Sequence, residues 1–349
     1  MTDVSAVVVS HRSAAEAVRC VSSLRRAFRD ERIGGEVLLV DCDSGQDDVR
    51  RLATAGADVL LSLPENRGYS GGLNAGLARA SGSLLLLCNA DVVFSAGSVT
   101  LLLGAASGAV VGAAGPLCTW DDAGRLRMPP GFAPGFLRDF LQLSTGRLPR
   151  IDRRRFAAFA RDSLRLWREG GAVRHLTGAV LAVRREVFDH VGRFDERFPF
   201  EYEESEWEDR VRAAGFELRY EPRAQVRHLY ARSALHSPES ADRRRVSRNL
   251  YRRRRYGRIG TALLDLAPTL RRSVSATLLE RPSVSRRDGA WVAVSPNPSL
   301  LPFAGTSLDE DFVLPAETLA SLPAGYVYLR TFRARDGEPL ETFVWEKAA

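Results

Sequence analysis

The sequence predicts an α/β protein built on a mostly parallel sheet flanked by helices, and three observations carry that prediction. Through the first hundred residues short apolar runs alternate with helix-like stretches, as parallel strands joined by crossover helices require. Polar residues, among them Asp41, Asn89 and Asp91, collect where those runs end, the edge of an open sheet on which ligands bind. The chain has 349 residues, 45% of them hydrophobic and 27% charged, enough for one large domain with appendages or for two domains.

Taken in order, Val4 to Ser10 is a buried strand, and Ser13 is placed to cap a helix running to about Arg29. Val37 to Val40 is a second strand ending at Asp41, with a helix from Gln46 to Ala55 behind it. Asp58 to Leu63 reads as a third strand, Leu73 to Ala80 as a short helix, and Leu84 to Leu87 as a fourth strand entering Asn89-Ala90-Asp91. Residues 121–174 break the rhythm with Pro129-Pro130-Gly131 and a basic amphipathic helix near Arg153 to Trp167, an insertion expected to shape one wall of a cleft. Regular structure resumes at Gly178 to Val183, continues in a helix from Arg185, and reaches a longer helix from Glu204 to Ala214 stopped by Gly215. Glu217 to Tyr220 and Gln225 to His228 close a unit drawn as residues 1–236.

Residues 237–289 form a basic, amphipathic helical segment, with arginines from Arg243 to Arg258 and an apolar stripe from Leu263 to Leu278 interrupted at Pro268. Residues 290–349 are rich in proline and serine until Tyr326 to Arg335 and Leu340 to Trp345 flank Asp336-Gly337, a strong hairpin signal. No internal repeat is present.

Composition also excludes some classes. The four cysteines lie too far apart for a zinc or redox motif and read as reduced, mostly buried thiols. The start lacks a signal peptide's basic and apolar regions, and no apolar run approaches the length of a spanning helix, so a cytoplasmic location is expected. The net charge of +7 is almost wholly arginine, Lys347 being the only lysine; with few aromatic residues interleaved, nucleic acid is not expected as a partner.

Several segments in one order resemble the family 2 glycosyltransferases, in particular their rhamnosyltransferase-like branch, over roughly residues 4–235. They are Val7-Val8-Val9-Ser10-His11, Leu39-Val40-Asp41, Asn66-Arg67-Gly68-Tyr69-Ser70-Gly71-Gly72-Leu73-Asn74, Asn89-Ala90-Asp91, Thr177-Gly178-Ala179, Glu203-Glu204-Ser205-Glu206 with Arg210, and His228. The resemblance implies the GT-A fold, a Rossmann-like α/β domain. It also implies a nucleotide-diphosphate sugar donor bound by Ser10, His11, Asp41, Asn66, Arg67, Gly68, Gly71, Asn74, Asn89, Asp91 and Gly178. Asp91 ends the family's metal motif, here in the Asn-x-Asp form. With one carboxylate there, His228 is the implied second ligand of a manganese or magnesium ion that neutralises the diphosphate. By themselves, an aspartate after a strand also reads as a helix N-cap, and His228 as a hydrogen-bonded, half-buried histidine. Asp41 matches the carboxylate that accepts a hydrogen bond from the nucleobase, although the usual Asp-Asn turn is Asp41-Cys42-Asp43 here.

Glu203, Glu204 and Glu206 match the family's Glu-Asp-x-Asp segment, glutamates replacing both aspartates, with Arg210 in its arginine position. The resemblance makes Glu204 the catalytic base, with Glu203 and Arg210 beside it. Acidic residues also suit a helix N-terminus. The absence of a Gln-x-x-Arg-Trp segment and of spanning helices points to a single transfer; a base at Glu204 with attack opposite the leaving diphosphate implies inversion, and the branch implies L-rhamnose from its dTDP donor as the sugar. A glycan, a lipid-linked sugar or a natural-product hydroxyl is the acceptor class. Two other readings stay open: a glycosyltransferase-like binding protein without catalysis, and a serine hydrolase using Ser70 of Gly68-Tyr69-Ser70-Gly71-Gly72. Arg243 to Arg258 reads as a solvated helix face or as a peripheral contact with anionic lipid. A homodimer stays open as well.

Overall fold

The computed structural model describes residues 3–229, 238–322 and 324–348. The chain divides into two compact units, residues 1–118 with 170–251, and residues 119–169 with 252–349. The border drawn at 236 lies outside the described residues, and the second unit combines the expected insertion with most of the carboxy-terminal extension.

The first unit carries a nine-stranded sheet: β1 (Val4–Ser10), β2 (Gly35–Cys42), β3 (Val59–Leu63), β4 (Leu84–Asn89), β5 (Val92–Phe94), β6 (Val111–Thr119), β7 (Gly171–Val173), β8 (Val180–Arg184) and β9 (Glu217–His228). Its order is β3-β2-β1-β4-β8-β6-β9-β5, with β7 on β9. The pairs β3-β2, β2-β1 and β1-β4 are parallel, joined by α1 (Ala14–Asp30), α2 (Gln46–Leu52) and α3 (Gly68–Arg79). The β4-β8, β8-β6, β7-β9 and β5-β9 pairs are antiparallel. Every residue of β1 is buried, which is why its apolar run is continuous rather than alternating. Helix α1 buries Ala17, Cys20, Val21, Leu24 and Phe28 at helical spacing. Ser13 stands at its N-cap position without capping it, since its Oγ lies 3.1 Å from Ser10 Oγ. Helix α3 starts at Gly68, five residues before its apolar pattern begins, because glycines fill its first turns.

The remaining helices are α4 (Ser98–Ala106), α5 (Phe136–Leu143), α6 (Pro149–Glu169), α7 (Arg185–Val191), α8 (Glu203–Ala213), α9 (Pro238–Leu266) and α10 (Ala316–Ser321). Helix α9 breaks at Gly257, whose φ of 67° is not helical. All four cysteines are free and buried.

The second unit has its own five-stranded sheet, ordered β10 (Thr277–Leu278), β16 (Pro339–Lys347), β15 (Gly325–Arg333), β12 (Ala290–Ser295) and β13 (Ala304–Ser307). A two-stranded ribbon pairs β11 (Ser283–Val284) with β14 (Phe312–Val313). The hairpin read around Asp336-Gly337 is β15-β16, part of this larger sheet. Its core includes Phe156, Phe303 and Phe332, with ring centroids 5.4–5.6 Å apart.

Candidate active site

A cavity of about 390 Å³ opens in the first unit where β1, β2 and β4 end. His11 lines it, held by Nδ1–H donating to the Cys42 carbonyl at 2.7 Å. Asn66 and Gly68 form its next wall, the Asn66 Oδ1 accepting from Gly68 N at 2.9 Å. Gly68 has φ +73°, and a Cβ there would stand 2.3 Å from the Pro199 carbonyl oxygen, so only glycine fits.

Asn89, Ala90 and Asp91 enter the cavity as β4 ends. Asp91 belongs to the two-residue turn between β4 and β5, and α4 begins only at Ser98, so it is not a helix cap. Strand β5 pairs with β9 in the register Val92↔His228, which brings His228 Nε2 to 3.3 Å from Asp91 Oδ1. Both side chains are about nine-tenths buried, at 14% and 10% exposure.

Another part of the lining is acidic. Glu203 and Glu204 begin α8 and line the cavity, Glu203 buried and Glu204 half-buried. Burial raises Glu203 well above the ordinary carboxylate range, and Glu204 beside it adds to the effect. Burial likewise pushes Glu204 up to about 7, with the His175 charge acting in the opposite direction. His175 forms a buried ion pair with Glu208, one turn beyond Glu204, while Leu176 N donates to Glu208 at 3.1 Å. Burial alone would lower the His175 imidazole; the Glu208 carboxylate outweighs it and the net direction is upward. Gly178 packs on Glu204, where a Cβ would lie 3.2 Å from Glu204 Cγ, and its carbonyl accepts from Tyr69 Oη at 3.1 Å.

The loop before α8 is strained. Glu201 and Tyr202 both occupy the left-handed region, at φ 61° and 70°, each worth about 1–3 kcal/mol of strain. The first part of α9 holds it there. Arg244 pairs with Glu201 at 2.9 Å, Ser247 Oγ accepts from Phe200 N at 3.2 Å, and Tyr251 stacks near Tyr202 with centroids 5.3 Å apart. Arg243, from the same stretch, lines the cavity and donates to Asn66 O at 3.3 Å.

Of the residues read from sequence, His11, Asn66, Gly68, Asn89, Asp91, Gly178, Glu203, Glu204 and His228 meet around this cavity. Ser10, Asp41, Arg67, Gly71, Asn74 and Arg210 do not line it. Ser10 and Asp41 are buried at their strand ends, Asp41 Oδ2 accepting from Ser44 N at 3.3 Å and its Oδ1 buried with no partner among the described residues. Arg67 pairs with Glu196, and Gly71 packs against Arg67. Asn74 bonds Phe194 O at 2.9 Å and Glu196 at 3.0 Å, so this part of α3 fastens residues 194–198. Arg210 clamps Glu206 at 2.9 Å and the Val191 carbonyl at 2.7 Å. Ser70 is fully buried inside α3 and donates to Phe198 O at 3.0 Å, which removes the exposed elbow a serine nucleophile needs. Arg12 and Tyr69 line the cavity without having been assigned to it, Tyr69 lying inside the Asn66–Asn74 segment; Arg243, read as part of a solvated or lipid-facing stretch, lines it as well.

Residues 5–192 match the family described as Glycosyl transferase family 2. The chain belongs to that family. It is similar to the N-acetylglucosaminyl-diphospho-decaprenol L-rhamnosyltransferase of Mycobacterium tuberculosis, strains CDC 1551 / Oshkosh and ATCC 25618 / H37Rv. Each is 32% identical over 193 residues, which cover 52% of this chain and 62% of the relative. The match thus spans less than two thirds of those relatives. Among solved structures, the mannosyltransferase PcManGT from Pyrobaculum calidifontis, in complex with GDP-Man and Mn2+, is 15% identical with a TM-score of 0.47, over 76% of this chain and 73% of that one. TarS of S. aureus in complex with UDP is 12% identical with a TM-score of 0.45, over 75% and 69%.

Proposed function

We propose that this chain is a glycosyltransferase that makes a single, inverting transfer of L-rhamnose from dTDP-L-rhamnose to a hydroxyl of a lipid-linked sugar, with Glu204 as base. The observation that carries the mechanism is that Glu204, half-buried at the start of α8, lines the same cavity as Asp91 and His228; burial pushes its carboxyl up to about 7. The sugar and the acceptor class rest on the rhamnosyltransferase relatives.

In the proposed reaction the acceptor oxygen forms a bond to the anomeric carbon while the bond from that carbon to the diphosphate oxygen breaks. The electron pair leaves with dTDP, and the hydroxyl proton passes to Glu204. A base whose pKa sits near neutrality combines a useful ionised fraction with enough basicity, typically about 10²–10⁴-fold in rate. Tyr69, its hydroxyl kept protonated by burial and then by Cys88 and the cavity acids, anchors Gly178 behind that carboxylate. Arg12 and Arg243 present positive charge to the leaving diphosphate.

Asp91 and His228 fit a divalent metal of the manganese or magnesium type. Two ligands about 2.1 Å from one octahedral ion stand roughly 3 Å apart, and these donor atoms are 3.3 Å apart. Among the described residues no group of three His, Cys, Asp or Glu side chains could hold an ion, so Asp91 and His228 would hold it together with the bound donor. When bound, the metal supplies charge neutralisation of the diphosphate. The unpartnered Asp41 Oδ1 is the acceptor we assign to the thymine N–H.

Release of dTDP from dTDP-L-rhamnose, measured with lipid-linked acceptors and with manganese, magnesium or chelator, tests the reading. Turnover rises with pH through about 7, because the base works ionised. Glu204→Gln is expected to lower kcat by about 10²–10⁴-fold and to remove that limb. Intact turnover in the variant refutes the base, and turnover unchanged by chelator refutes the metal.

A further inference from the structure

The second half of α9 has the reverse of an ordinary surface helix. After the break at Gly257, its inner face is small or singly apolar: Thr261, Leu264 and Ala267 are buried at 6%, 0% and 0% exposure. Its outer face is aliphatic. Ile259, Leu263 and Leu266 recur at i, i+4 and i+7, and Leu270 follows in a short 3₁₀ helix, Ala267–Leu270, with exposures of 80%, 44%, 60% and 41%. Large aliphatic side chains exposed singly are ordinary; exposed in a contiguous row, they mark a contact surface.

Arginines frame the row at both ends. Arg253, Arg254 and Arg258 are exposed before it, and Arg271 and Arg272 after it. The acidic residue inside the row, Asp265, is paired with Arg252 at 3.3 Å. The arginine stretch of the sequence therefore divides: Arg243 and Arg244 turn to the cavity and its loop, Arg252 is buried, and Arg253, Arg254 and Arg258 are exposed.

We infer that the ridge Ile259–Leu270 inserts into the interface of an anionic lipid bilayer, with the flanking arginines on the headgroups. Apolar side chains between basic ends match a layer that is hydrocarbon below and negatively charged above. A second copy of the chain is the poorer occupant, because a self-complementary contact centred on this ridge brings arginine rims of one sign together. The inference stands apart from the transferase reading and needs no turnover for its test.

Full-length protein is mixed with vesicles of phosphatidylcholine alone or with about a third phosphatidylglycerol, and partition is read by co-sedimentation. The protein is expected to pellet with the anionic vesicles, less so as salt rises. The triple variant Ile259→Ser, Leu263→Ser, Leu266→Ser loses about tenfold or more of that affinity, and its melting temperature is unchanged because those side chains are exposed. Replacing Arg253, Arg254 and Arg258 by Gln removes the preference for anionic vesicles. An environment-sensitive dye on Leu266→Cys shifts to the blue on the same vesicles, reporting insertion with most of the ridge intact. Wild-type protein that stays in solution, an undiminished triple variant or an unshifted dye overturns the inference. So does a wild-type dimer in sedimentation velocity that the triple variant converts to monomer.

Discussion

Two histidine–carboxylate pairs flank the candidate site, and they are built from the same chemistry for different ends. Asp91 and His228 stand 3.3 Å apart on the cavity wall, placed by the β5-β9 register. Glu208 and His175 lie behind the acidic part of the lining, with Glu208 wholly buried and also accepting from Leu176 N. In the first pair both side chains face a cavity that a donor can enter. In the second, partners inside the protein take up the carboxylate, and its field reaches the reaction only through Glu204. A histidine beside a carboxylate is thus no sign of a metal site by itself; what separates the pairs is access.

The sharpest way to break the comparison is to remove one carboxylate from each. Asp91→Asn is expected to lower turnover by about 10²–10⁴-fold, with thermal unfolding little changed. Glu208→Ala is expected to destabilise the protein by about 1–3 kcal/mol, since it leaves Leu176 N and the His175 ring buried without their acceptor. Denaturant titration beside a turnover assay separates the two effects, and equal losses of stability would erase the distinction.

A smaller effect concerns Glu204. Its folded pKa of about 7 lies above the ordinary carboxylate value, so the stability linked to it is present below about pH 4.3 and is lost as pH rises through 7. Glu204→Gln should therefore be more stable than wild type by about 3 kcal/mol at pH 8, and not at pH 4. Unfolding midpoints across that range would show the crossover; a constant difference would assign the change to packing.

The strand-end half of the site was legible because its residues are local. Val4–Ser10 was read to the residue, and Asn89-Ala90-Asp91 follows an apolar run whose end is visible in sequence. The wall supplied by α9 was not. Arg243 reaches Asn66 across 177 positions, and an arginine among arginines gives no sign of which way it turns. Strand β9 was split in two because Pro222 lies between its pairing with β7 at Leu218–Tyr220 and with β5 at Val226–His228. In the last sixty residues the proline and serine content masked β12 and β13, short strands that pair with each other. The segment Asn66–Asn74 was legible as a unit, yet its residues divide between lining the cavity and fastening residues 194–198.

The left-handed residues Glu201 and Tyr202 bear on how far this enzyme can be shortened. Strain of about 1–3 kcal/mol per residue survives only while Arg244, Ser247 and Tyr251 hold the loop. A chain cut at residue 236, where the sequence pattern places the end of the catalytic region, would keep Asp91, Glu203, Glu204 and His228. Its loop would relax toward ordinary backbone angles, carrying Glu203 and Glu204 away from the cavity. Such a fragment would be a folded sheet with the right residues in the wrong places, and the smallest working unit therefore extends through Tyr251.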